Sequence, residues 1–151
     1  MVLMTHRGHL PSEDLQAVID AGGMSEDALH AITRIPAETV ARFLHGEAPG
    51  SPPATSTPLL SDDESRRLSI FSAYVSTGLT IDDDERLRAI LESLTVECRL
   101  TPENVARLAD VDVEHVERAL VDPSAVPLDA RYRLALRSSY IITAVNRAQP
   151  G

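Results

Sequence analysis

Apolar residues recur along this chain at spacings of three and four, and no stretch alternates apolar and polar positions with a period of two, so the pattern predicts helices throughout. Ser12 is placed to cap a first helix carrying Leu15, Val18 and Ile19, which stops at Gly22-Gly23. Ser25 caps a short second helix with Leu29 and Ile32 inward. After Thr33-Arg34-Ile35, Pro36 suits the first turn of a third helix, whose Val40, Phe43 and Leu44 share a face and whose end is marked by Gly46. Ser61 and Glu64 form a capping box that opens a fourth helix with Leu68, Ile70, Phe71, Tyr74 and Val75.

Four further helices follow the same plan. Thr80 and the acidic run Asp82 to Glu85 favour a helix start ahead of Leu87, Ile90, Leu91 and Leu94. Thr101-Pro102-Glu103 starts the next, Asp112 caps the third, and the fourth runs from about Leu128 to Ala144 with Leu134, Leu136, Tyr140 and Ile141. The expected fold is all-α, two tandem four-helix units of residues 1–79 and 80–146 with a tail at 147–151.

The two halves are also similar residue by residue. Residues 24–44 align without a gap on 100–120, an offset of 76, and Glu38, Val40, Arg42 and Leu44 recur as Glu114, Val116, Arg118 and Leu120. The match resumes at an offset of 66, where Asp63, Arg67, Leu68, Ser72, Tyr74 and Thr77 correspond to Asp129, Arg133, Leu134, Ser138, Tyr140 and Thr143. The extra residues of the first half sit in the Pro-, Gly-, Ser- and Thr-rich run 46–58, which reads as a solvated loop. Such a repeat is one supersecondary unit used twice.

Composition narrows the function. With 43% hydrophobic and 3% aromatic residues the core is built from Leu, Val, Ile and Ala, and no apolar run is long enough to span a bilayer. A single Cys and an N-terminus without the order of a secretory signal point to the cytoplasm. The net charge of −9 opposes nucleic-acid binding by the chain as a whole, since neither half is basic, so any DNA contact rests on local placement. His6 and His9 lack a third ligand, the acids at 82–85 lack the alternation and Gly of a calcium loop, and no phosphate loop or nucleophile–base set is present. The expectation is a protein without enzyme activity, metal or cofactor.

The segment Asn104 to Val116 resembles the helix-turn-helix motif of lambda-repressor-like and lactose-repressor-like regulators: Val105, Ala106, Ala109, Val111 and Val116 match its apolar and small positions. Asp110 stands where that family prefers Gly, and Asp tolerates the left-handed backbone better than most residues. The first half is similar through Leu29, Thr33, Ile35, Val40 and Phe43, with His30 in place of Ala and Arg34 in place of Gly, and its ending at His45-Gly46 looks like the close of a Cro/CI-type recognition helix. The resemblance implies a DNA-binding regulator that reads double-stranded DNA with its third helix.

The outward residues of the two third helices differ. In the first, Ala37, Glu38, Thr39, Arg42 and His45, with Arg34 in the turn and Arg66 and Arg67 on the fourth helix, make a candidate DNA surface. In the second, Asp112, Val113, Glu114, Glu117 and Arg118 make an acidic face repelled by phosphate, which fits a protein partner better. Arg66, Arg67, Arg131, Arg133 and Arg137 have a plainer use as partners for Asp62, Asp63 and Asp129. Tyr74 and Tyr140 are expected as core or interface anchors, and the apolar run 139–145 either closes the core or forms a homodimer contact.

Overall fold

The computed structural model describes residues 10–46 and 59–150, so the expectations for His6, His9 and most of the 46–58 loop lie outside the described residues. Eight α-helices follow in order: α1 (Pro11–Asp20), α2 (Glu26–Thr33), α3 (Ala37–His45), α4 (Asp62–Val75), α5 (Asp83–Glu92), α6 (Pro102–Ala109), α7 (Val113–Val121) and α8 (Leu128–Ala148). Short 3-10 turns occupy Gly78–Thr80 and Pro123–Ala125, and a π turn, Ser93–Glu97, extends α5. The described residues contain no strand, and the all-α expectation holds. The chain divides into two compact units between Thr80 and Ile81.

Local chemistry sets the helix boundaries. Ser61 accepts from the Glu64 N–H while the Glu64 carboxylate accepts from the Ser61 N–H, and Thr101 and Asn104 form the same reciprocal pair at the start of α6. Each such cap contributes about 1 kcal/mol. Ser25 accepts from the Ala28 N–H at 3.0 Å, and Asp82 from the N–H groups of Asp84 and Glu85. At the end of α1, Gly23 and Gly22 donate to the carbonyls of Val18 and Ile19, and Gly22 supplies the positive φ that this closing motif requires.

Three start sites differ from expectation. α1 begins at Pro11, with Leu10 at the cap position and no side-chain cap, because the fixed φ of proline is suited to the first helical residue. Asp112 occupies the cap position of α7, but its side chain makes no capping bond. Pro36 stands just before α3 rather than in its first turn.

Each unit has its own core. In unit 1 the buried residues are Leu15, Leu29, Ile35, Val40, Leu44 and Leu68, with Ile19, Phe43, Phe71 and Val75 packed around them. Unit 2 buries ten hydrophobic residues to the six of unit 1 among the described residues, among them Leu91, Leu94, Val105, Ala109, Val116 and Leu134. The aligned positions play matching parts: Leu29 and Val105, Val40 and Val116, and Leu68 and Leu134 are all fully buried, as are Ser72 and Ser138.

Several apolar residues expected inward face solvent instead. Ile32, Ile70, Tyr74, Leu136 and Tyr140 are exposed, so Tyr74 and Tyr140 are not core anchors. In the run 139–145 only Ile141, Ile142 and Val145 pack on the core. A 14- or 21-residue helix against one small core can bury only one stripe, and the Leu68–Ser72 and Leu134–Ser138 lines take it.

Candidate nucleic-acid interface

In unit 1 the second and third helices are joined by Arg34, Ile35 and Pro36. Arg34 takes the left-handed conformation (φ 61°, ψ 15°) and its N–H donates to the His30 carbonyl at 2.8 Å. Ile35 then drops into the core, its backbone held by the side chains of Thr33 and His30. Thr33 Oγ1 donates to the Leu29 carbonyl at 2.7 Å and accepts from the Ile35 N–H at 3.3 Å. The His30 ring donates from Nδ1 to the Ile35 carbonyl, which fixes its tautomer and explains why a large polar residue stands where unit 2 has Ala106.

Unit 2 reaches the same turn by other means. Asp110 is left-handed (φ 55°, ψ 51°), as the resemblance to a Gly position implies, and Val111 donates to the Ala106 carbonyl at 3.0 Å. Arg133 of α8 clamps the turn, donating to the Asp110 carbonyl at 3.3 Å and to its carboxylate at 3.2 Å. The aligned Arg67 of α4 instead donates to the Thr33 carbonyl, one residue earlier. Both units thus tie the fourth helix to the turn with an arginine.

The outer face of α3 presents Ala37, Glu38 and Arg42 to solvent, with Thr39 half-buried. Arg34 and Arg42 are exposed and have no ion-pair partner among the described residues. His45, at the end of α3, is exposed but engaged with the carboxylate of Glu26 at the start of α2, a contact the sequence pattern does not signal. Arg66 and Arg67 both bind Asp63, at 3.0 and 2.8 Å. Hydrogen bonds first from Arg66 and then from Arg67 hold the Asp63 carboxyl below the usual carboxylate range. The candidate surface therefore reduces to Arg34, Ala37, Glu38 and Arg42 as free groups, with Arg66, Arg67 and His45 in local pairs.

On α7, Asp112, Glu114, Glu117 and Arg118 are exposed, whereas Val113 is half-buried against the core and is not part of the outer face. An open cleft of about 660 Å³ lies beside the start of α7, lined by Glu103, Arg107, Asp110, Asp112, His115, Asp129 and Arg133 among others. Its four carboxylates outnumber its two guanidinium groups, so the acidity of α7 continues into the groove next to it. Tyr140 stands apart from this set, on the outer face of α8.

Two helices joined through a left-handed turn residue, with a buried aliphatic after it, define a helix-turn-helix protein. The chain belongs to the helix-turn-helix domain family, whose model matches residues 9–150. No curated protein and no solved structure matches the chain. Among the described residues no helix is long and apolar enough to cross a membrane, and no group of His, Cys, Asp and Glu is placed to hold a metal ion.

Proposed function

We propose that the protein is a cytoplasmic DNA-binding transcriptional regulator built from two tandem, lambda-repressor-like (Cro/CI-type) units, in which unit 1 reads the major groove. The observation that carries this is the pair of exposed, unpaired guanidinium groups, Arg34 at the turn and Arg42 on the outer face of α3. Small residues at Ala37 and Ala41 let the helix approach base edges, and Arg42 is the group suited to guanine or phosphate. Glu38 on the same face suits cytosine. The reading calls for no catalytic group or cofactor.

Fluorescence anisotropy on a selected duplex tests it. Arg42→Ala is expected to weaken specific binding by about 1–3 kcal/mol, while Arg118→Ala, its counterpart on the acidic α7, leaves binding within about 0.5 kcal/mol. Absence of salt-dependent binding at micromolar protein removes the proposal.

The acidic face of unit 2 favours a second reading for that unit. Asp112, Glu114 and Glu117 are exposed beside a carboxylate-rich cleft, which suits a basic protein surface and repels phosphate. Pull-down from native extract with nuclease separates the two: a partner retained after nuclease treatment and lost with Glu114→Arg and Glu117→Arg supports the protein-binding reading.

A further inference from the structure

The fourth helices carry an outward apolar face for which the core has no use. At about 100° per residue, Leu136 points directly away from the midpoint of the buried Leu134 and Ser138. It is 55% exposed, and Tyr140, one turn on, is 79% exposed. Leu128 and Tyr132 extend the stripe toward the start of α8. The arrangement is repeated in unit 1: Ile70 stands opposite Leu68 and Ser72, with Tyr74 one turn on, and both are exposed. Most outward residues on the third helices differ between the units, yet this aliphatic–tyrosine pair is kept in kind.

We propose that the outer face of α8 is a homodimer interface, packed antiparallel against α8 of a second copy of this chain. The face is self-complementary in one register. Setting Leu136 against Tyr140 of the second copy brings Tyr132 to Ala144 and Leu128 to Ala148, so large residues meet small ones on either side of a central Leu–Tyr contact. The same register sets Asp129 opposite Arg147, and neither has an ion-pair partner among the described residues. Arg137 then faces Ser139 rather than a like charge.

The four large side chains expose roughly 500 Å² in each copy, judged from the usual size of such groups. A standard interface buries about 800 Å² per partner, so the stripe with its flanking Ser139, Thr143 and arginine stems reaches the range of a specific dimer. A two-fold interface requires one patch to fit itself, which an uncharged centre with opposite charges at its two ends does.

Sedimentation velocity on the full chain between 1 and 100 µM is the test. A species of twice the 16.4 kDa chain mass is expected, with Leu136→Asp raising the dimer dissociation constant at least a hundredfold at unchanged melting temperature. Asp129→Arg and Arg147→Asp each weaken the dimer about tenfold, and the two together restore it, a rescue that general stickiness does not give. A monomer at every concentration overturns the proposal. So does a dimer insensitive to Leu136→Asp but lost with Ile70→Asp, or a double charge exchange that fails to restore affinity.

Discussion

In unit 1 the residue that turns α2 toward α3 is Arg34, and in unit 2 the residue at the same place is Asp110; both adopt left-handed backbone, yet their side chains do opposite work. Asp110 accepts from a partner, Arg133, across an exposed contact and becomes part of the frame. Among the described residues Arg34 has no ion-pair partner and remains available, while the frame is held from elsewhere by His30, Thr33 and Arg67. Unit 2 has thus used its turn side chain for stability, and unit 1 has kept its own for contact. The cores follow the same division, with more buried hydrophobic residues in unit 2 than in unit 1 among the described residues. The copy with the larger described core carries the acidic third helix, and the other carries the free arginines.

The most forceful way to break this comparison is to remove an equivalent core leucine from each unit. Leu68 and Leu134 are both fully buried, so Leu→Ala at either costs about 2–5 kcal/mol in its own unit. A domain of this size has little more than that to lose, and unit 1 has the smaller core among the described residues. Calorimetry of the unaltered chain is therefore expected to show unit 1 melting first, with Leu68→Ala removing its transition and Leu134→Ala merely lowering that of unit 2. A single transition lowered equally by both changes would show that the units are not independent.

Exchanging the residues at His30 and Ala106 tests the two turn designs with a smaller effect. Ala106 is buried where α7 approaches α6, and an imidazole there overpacks the contact, so Ala106→His costs about 1–3 kcal/mol. His30→Ala removes the donor to the Ile35 carbonyl in a part-buried site, a loss of about 0.5–1.5 kcal/mol. Urea titrations followed by circular dichroism measure both. Equal costs in the two directions would mean that the units do not differ in how closely their helices approach.

How much of this was legible in the sequence depends on how far apart the interacting groups lie. The Ser61–Glu64 and Thr101-Pro102 starts, the Gly22 stop and the left-handed Asp110 rest on neighbours within a turn, and these were readable. Ser12 was misplaced as a cap because a proline at the preceding position settles the start of α1. Ile32, Ile70 and Leu136 have helical spacing, but spacing does not say which of two apolar stripes meets the core of its own unit. The engagement of His45 by Glu26 and of Asp110 by Arg133 spans 19 and 23 residues, and only the fold brings them together. For the candidate site, the face of α3 is legible, whereas of the local pairs that occupy Arg66, Arg67 and His45 only those of the two arginines lie close enough along the chain to be signalled by the sequence.

Glycine at the two left-handed positions sharpens the contrast further. The left-handed backbone costs an L-residue roughly 1–2 kcal/mol in sterics, which glycine avoids. Arg34→Gly loses no side-chain hydrogen bond or ion pair among the described residues and is expected to raise the stability of unit 1 by about 0.5–1 kcal/mol while weakening any DNA binding. Asp110→Gly also relieves the backbone but gives up the Arg133 bond to the carboxylate, so its gain falls to near zero. A larger gain at Asp110 than at Arg34 would contradict the division of roles between the turns.

The smallest expected effect lies in acid. Asp63 and Asp129 align, but only Asp63 receives arginines, because in unit 2 Arg131 pairs with Asp84 and Arg133 with Asp110. The Asp63 carboxyl is held below its ordinary value, chiefly by the Arg66 hydrogen bond and next by that of Arg67. A depressed folded-state value means that the ionised pair stabilises the folded chain above the usual carboxylate range and that this contribution disappears as the pH falls through the lower folded value, below about 4. Solvent around the exposed Asp63 carboxylate keeps the energy small. Carboxyl NMR titration should place Asp63 below an ordinary aspartate, with Arg66→Ala raising it more than Arg67→Ala. An Asp63 that titrates like a free aspartate would release Arg66 from its local pair and return it to the candidate DNA surface of unit 1, with Arg67 still tied to the Thr33 carbonyl.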